Sequence, residues 1–233
     1  MRSIQPTEAG RDVAMKRLLI VGAGGFGREV FSWALHTNVK DRDWEVGGFL
    51  DSNPKALDGY GFKIGILGDP LAYTPLERDV LVCAIGNPAI RLRLCRDLKA
   101  RGARFLTLIH PTAVIGLDCT IGEGCILCPG AILTTNVTLG NFVVLNVHST
   151  VGHEAVIGDG CTLSGHADVT GNTTLGEGVF LGSHASVLPS AKVGDYAVVG
   201  AGSVVLRKVR AHSTVVGVPA KQIHGFDADK PSA

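Results

Sequence analysis

The sequence predicts two architectures in tandem: a small α/β domain with a parallel sheet over residues 16–105, then a parallel β-helix over residues 106–225. Three observations predict them. Glycine turns join apolar runs to amphipathic stretches in the first half. In the second half an aliphatic residue recurs at every sixth position. A small residue recurs four positions after each of these.

The chain begins with MRSIQPTEAGRDVAM, residues 1–15, which has no apolar stretch of the kind a signal peptide carries and is expected to be a disordered extension. "KRLLIVGAGGFGREVFSWAL" then reads as a buried strand, a glycine turn and a helix. "WEVGGFLDSNP" reads as a second strand ending in Asp51, and "DVLVCAIGNPAIRLRLCRDLKARG" as a strand, turn and helix. "ARFLTLIH" is expected to be a last strand. Strands alternating with helices give a parallel, Rossmann-like sheet. Gly22, Gly24 and Gly27 fit G-x-G-x-x-G, with Gly25 in the same turn. Such glycines let backbone N–H groups and a helix N-terminus approach a phosphate. Asp51 stands where an acid would meet a ribose. A unit of this size is half a dinucleotide fold, enough for one nucleotide. The turn with Gly86 and Asn87 repeats the pattern, and Arg91 beyond it reads either as a phosphate contact or as a solvated side chain at a capped helix start.

The second half carries the strongest signal. Seventeen positions counted in sixes, from Ile109 through Val151 and Ile157 to Val205, are all Leu, Ile or Val, although these types make up 63 of the 233 residues. Chance would achieve this about once in a billion sequences, so the period is structural. Neither a helical period nor simple alternation produces it. Each hexapeptide reads as a short strand plus a corner, and three of them as one triangular coil of 18 residues. Aliphatic anchors fill the interior. Ala131, Ala155, Cys161 and their equivalents fit beside the corners. Residues 226–233 form a tail.

The lattice leaves His153 and Glu154 outside the packing, at a corner two and three residues after Val151. His148, His166 and His184 recur at 18 and are expected to stack as a ladder, either as surface or interface residues or as the lining of a channel. His110, before a proline at the domain junction, reads as structural. Charged residues are 18% of the chain, the net charge is +1 and aromatics are 6%, which argues against a nucleic-acid partner. No apolar run is long enough to span a membrane. Six cysteines, at 83, 95, 119, 125, 128 and 161, read as free thiols of a reducing cytoplasm.

The hexapeptide period, the closing segment "VVGVPAKQI" and the glycine-turn domain ahead of them resemble the left-handed β-helix sugar acetyltransferases. They are similar in particular to the group that N-acetylates nucleotide-linked 4-amino sugars, the bacillosamine and perosamine type, with sialic acid O-acetyltransferases as relatives. The resemblance implies a left-handed helix, acetyl-CoA as cosubstrate, no metal, and a homotrimer with active sites between subunits. It matches the family's His–acid pair to His153 and Glu154 in "GHEAVIG", and a preceding asparagine to Asn146. It implies that Gly22, Gly24, Gly25, Gly27, Asp51, Gly86, Asn87 and Asn146 serve the nucleotide sugar. It implies that Gly171, Gly182, Gly200 and Lys221 serve the coenzyme. A family histidine is replaced here by Thr162, whose hydroxyl is expected to substitute toward the coenzyme. Imidazole suits deprotonation of an attacking amine near neutral pH, and a carboxylate beside it fixes its tautomer.

Three rivals stay open. O-acetylation of a sugar or sialic acid would use the same residues. A γ-class carbonic anhydrase would use the His148–His153 spacing with a third histidine on zinc. A repeat scaffold would use none of the chemistry.

Overall fold

The computed structural model describes residues 15–37 and 42–223. The expected tail, and all of the expected N-terminal extension but Met15, lie outside these residues. Four strands, β1 (Lys16–Val21), β2 (Trp44–Leu50), β3 (Ile66–Gly68) and β4 (Asp79–Cys83), form one parallel sheet in the order β3-β2-β1-β4. The last four residues of β1 and all of β4 are buried, as strands covered on both faces must be. Helix α1 (Gly25–His36) follows the glycine turn, and α2 (Pro88–Ala100) follows β4. The chain leaves β1 toward β2 and β3, then returns to the opposite edge as β4. The carboxyl ends of β1 and β4 therefore flank a switch point, the usual ligand crevice of such sheets. β3 is too short and too interrupted by glycine to be read from the sequence. "ARFLTLIH" is not the single last strand expected. Phe105 makes one bridge to Leu81, and Leu108–Ile109 already belongs to the next domain.

From Leu108 strands of two or, at the far end, three residues succeed one another around three faces, eight on one, the last of them antiparallel, and six on each of the others. The architecture is the left-handed β-helix. Partners lie one coil apart, as in Val144↔Thr162 and Leu145↔Leu163. From Leu127 to Val205 every anchor is no more than 2% exposed and fills the prism interior. The first two anchors depart from expectation. Ile109 and Ile115 are 36% and 39% exposed, because no coil lies beneath them. The far end departs too. Lys192 pairs with Lys208 and Val198 with Thr214, so the last coil has 16 residues and the anchors continue at Val209 and Val215.

One regularity joins the anchors and small residues. Every sixth residue from Asp118 to Gly202 has φ between +53° and +70°. Each corner thus places one residue in the left-handed region, which costs a non-glycine residue roughly 1–2 kcal/mol. Asn, Asp, Ser and His occupy many of these positions, consistent with short polar side chains tolerating that conformation. His148, His166 and His184 are three of them. Their rings stack at 5.2 and 4.8 Å with interplanar angles of 14° and 1°, as the spacing predicts.

The α/β domain docks on the face that contains Leu108, Ile126 and Val144. These outward-pointing residues share a core with Val30 and Ala34 of α1. Helix α2 lies along the corner at the edge of that face. Leu92 fills the hollow over Gly160, where a Cβ would come within 2.3 Å of the leucine. Beside it Arg91, fully buried, donates from Nε to Phe142 O (3.0 Å), from Nη1 to Ile85 O (2.6 Å) and from Nη2 to Gly160 O (2.7 Å) and Thr162 Oγ1 (2.8 Å). Arg91 is therefore neither a phosphate contact nor a solvated side chain: it ties the domains together. Burial without a carboxylate partner pulls its pKa down. Farther along α2, Arg96 forms a two-pronged pair with Glu177, and Lys99 pairs with Glu123.

A second tie joins α1 to the first coil. His110 Nδ1 accepts from Thr112 N–H (3.1 Å), so its Nε2–H is the donor to His36 Nδ1 at 2.8 Å. This geometry needs both rings neutral. Burial, then the nearby His36, pulls the His110 pKa below 6.5. The unfolded chain therefore binds the extra proton more readily, and stability falls as pH drops from about 6.5 toward the folded value. Thermal denaturation should show Tm falling over that window, and His110→Gln should flatten the slope.

Candidate active site

The corner after the strand Thr150–Val151 is residues 152–155. The lattice holds it from both sides. Glu154 N–H donates to Thr135 O of the preceding coil (3.1 Å), and Asn172 N–H of the next coil donates to His153 O (2.8 Å). Ala155 is buried, whereas the side chains of His153 and Glu154 are 59% and 55% exposed. His153 Nδ1–H donates to Glu154 Oε2. A proton held there leaves the lone pair on Nε2, the arrangement a general base needs.

The next coil fixes the ring. A Cβ at Gly171 would stand 2.5 Å from both Cε1 and Nε2 of His153, so the imidazole lies directly on that glycine. Gly152 makes similar room, since a Cβ there would stand 2.6 Å from Gly171 N. Among the described residues, Gly171 N–H donates to no protein acceptor. The Nε2 edge of His153 and an unused backbone donor therefore lie close together. Gly171→Ala should push the ring away while leaving the prism folded. The expected result is a loss of about 10²-fold in kcat with a near-native melting temperature, since small misplacements of a reacting group carry that cost.

The other expected residues fall into groups. Asn146 stands at the corner before Thr150–Val151, half-buried, its Oδ1 accepting from Val147 N–H at 2.7 Å. Gly182 and Gly200 follow it two and three coils on, along the edge that carries the histidine ladder. Lys221 is exposed in the antiparallel strand Lys221–Ile223. Thr162 is a correction. It is 5% exposed, its hydroxyl accepts from Arg91 and donates to Gly86 O (3.3 Å), and it belongs to the domain junction rather than to a coenzyme surface. His148 and His153, the pair of the zinc reading, occupy different corners, and among the described residues no three His, Cys, Asp or Glu side chains are grouped to hold a metal.

In the α/β domain a cavity of about 320 Å³ lies at the carboxyl ends of the strands, bordered by Gly22 and Asp51. Asp51 Oδ2 accepts from Ala23 N–H (2.7 Å) and Oδ1 from Asn53 N–H (2.8 Å), which shapes the glycine turn. Gly24 and Gly25 are exposed at the head of α1. Gly27 serves packing instead: a Cβ there would meet Gly22 O at 1.9 Å. Gly86 is exposed, and Asn87 caps α2, its Oδ1 accepting from Ile90 N–H at 3.1 Å. Sequence reasoning missed Gly152 and the cavity residues Asp69, Arg93 and Asp97, whose only signal is their register on α2 and after β3. The cavity and the dyad do not share one site. The domain docks on one face of the prism, and His153 stands at the corner opposite that face.

Fold and site together define a hexapeptide-repeat transferase with an α/β domain ahead of its prism. The PglD N-terminal domain matches residues 17–98, and the bacterial transferase hexapeptide (six repeats) matches residues 172–207. UDP-N-acetylbacillosamine N-acetyltransferase of Bacillus subtilis (strain 168) is 35% identical over 117 residues, 48% of this chain and 51% of that one. The chain is thus matched to about half the length of that curated relative. The crystal structure of PerB from Caulobacter crescentus, in complex with CoA and GDP-perosamine, is 29% identical, with a TM-score of 0.81 over 90% of this chain and 98% of that one. WeeI from Acinetobacter baumannii AYE is 30% identical, with a TM-score of 0.76 over 89% and 100% of the two chains. The chain belongs to the left-handed β-helix sugar acetyltransferases, in the nucleotide-linked amino-sugar N-acetyltransferase group.

Proposed function

We propose that this chain transfers the acetyl group of acetyl-CoA to the amino group of a nucleotide-linked 4-amino-4,6-dideoxy sugar. The observation that carries the reading is the His153–Glu154 pair seated on Gly171, on a prism that belongs to this family. The sugar amine attacks the thioester carbon, and His153 Nε2 takes a proton as the C–N bond forms. Glu154 stabilises the imidazolium. The Gly171 N–H faces the oxyanion of the tetrahedral intermediate. Collapse breaks the C–S bond, and the proton passes from His153 to the departing thiolate. No covalent enzyme intermediate is needed. Neither is a cysteine: burial holds Cys161 at about 12 and Cys125 at about 11, so both stay thiols.

The diphosphate of the donor sugar is assigned to the glycine turn at Gly24 and Gly25, and the nucleoside to the adjoining cavity. The coenzyme runs along the edges that flank the Thr150–Val151 face, near Asn146, Gly182, Gly200 and Lys221. Because the dyad lies at the corner opposite the docked domain, a second copy must bring its own part of the site to His153. This supports a homotrimer with sites between subunits. No described helix is long and apolar enough to cross a membrane, and we place the reaction in the cytoplasm, where acetyl-CoA is made. Incubating the chain with acetyl-CoA and UDP-, GDP- and dTDP-linked 4-amino sugars should release thiol with one of them. Hydroxyl-only sugars should give none. Release with hydroxyl-only sugars alone would replace N-transfer by O-transfer.

A further inference from the structure

We propose that the nucleobase taken by the α/β domain is guanine, read by a carboxylate that accepts its N1–H and N2–H together. The proposal rests on the nucleotide-sugar reading above and narrows it to one base.

The cavity at the carboxyl ends of the strands has about 320 Å³, within the range of small-molecule sites. Its apolar walls are Leu50, Leu71, Ile85, Ile90 and Leu94, suited to the faces of a flat ring. Its polar groups are Asp51, Ser52, Asp69, Arg93 and Asp97. Their existing bonds decide what a ligand meets. Asp51 already accepts a backbone N–H on each oxygen. Asp69 Oδ1 accepts from Leu71 N–H (2.8 Å), which leaves Oδ2 open. Among the described residues, the Asp97 carboxylate accepts no hydrogen bond and the Arg93 guanidinium donates none. The open groups are therefore mainly carboxylate acceptors, with one guanidinium as the main donor.

The base edges can be sorted against that set. Uracil and thymine present one N–H between two carbonyls, so a facing carboxylate gains one bond and opposes two acceptors. Adenine and cytosine place an amino group beside a ring lone pair, so a carboxylate meets one donor and one repulsive acceptor. Guanine alone has two adjacent N–H donors. They span a carboxylate as a guanidinium does, and O6 and N7 remain to accept from Arg93. A mismatched base would instead set a carbonyl or a ring lone pair against the carboxylate, and that repulsion discriminates against it.

Calorimetric titration of the full chain with GDP, IDP, UDP and dTDP tests this. GDP should bind at least tenfold more tightly than UDP and dTDP. IDP, which lacks the 2-amino group, should bind more weakly than GDP. In Asp69→Asn or Asp97→Asn, with an unchanged melting temperature, the GDP advantage should collapse to within threefold. UDP or dTDP binding as tightly as GDP overturns the guanine assignment while nucleotide binding stands. So does IDP equal to GDP, or an undiminished GDP preference in both variants. If none of the four diphosphates binds, the nucleotide-sugar reading falls with it.

Discussion

Replacing His153 with alanine is expected to lower kcat for acetyl transfer by about 10²–10⁴-fold, the usual contribution of a positioned general base. The fold should not notice. The side chain is 59% exposed, and the corner is held by backbone bonds from the coils on either side, so Tm should stay near that of the parent chain. Glu154→Gln should cost less, because glutamine can still accept from Nδ1 but no longer offsets the imidazolium charge. The acidic limb of the pH–rate profile gives a second readout. A base that must be neutral makes activity fall on acidification, and His153→Ala should remove that limb along with most of the rate. Full turnover in the alanine variant would defeat the mechanism, and the dyad would be an ordinary solvated corner.

The second large effect is on stability. Arg91→Leu is expected to destabilise the chain by about 3–5 kcal/mol, the range for losing one side of a buried charged hydrogen-bond network. The substitution keeps apolar volume but strips donors from Ile85 O, Phe142 O, Gly160 O and the Thr162 hydroxyl, all at a closed junction. Each orphaned acceptor retains its desolvation cost. Tm should fall by on the order of 10 °C for a chain of this size. Arg91→Lys should recover only part of this, since one ammonium cannot span acceptors on both sides of the junction. A Tm unchanged in Arg91→Leu would mean that Leu92 and the salt bridges of α2 carry the docking without it.

What was legible in the sequence was whatever repeats. Val151 and Ile157 announced a lattice, and the lattice alone put His153 outside the packing and predicted that His148, His166 and His184 stack. The left-handed corner slot was legible in principle through Asp118, Asn136 and Asn172, but Phe142 and Tyr196 occupy it too and mask the pattern. Those two rings fill the hollows over Gly124 and Gly178, a reason visible only in three dimensions. Contacts across the domain junction had no sequence period to reveal them. Thr162 lies 71 residues from Arg91, and nothing local marks either as the other's partner. Asn87 was ambiguous for a related reason: a helix cap and a ligand-binding amide call for the same residue type at the same place, and its Oδ1 takes the cap. The docking face did leave a trace. Leu108, Ile126 and Val144 are apolar at positions that should face water, and their column is what α1 covers.

Most strands of the prism meet a neighbour one coil away along the chain, so each new coil closes a loop of the same modest length on a template already in place. Growth of the prism is therefore a zipper, cheap at every step and indifferent to where it starts. The α2 contacts are of another kind, since Arg91 reaches across 51 residues to Phe142 and Arg96 across 81 to Glu177. Folding of this chain should accordingly proceed on two clocks, a fast one for winding the coils and a slow one for seating the first domain on them.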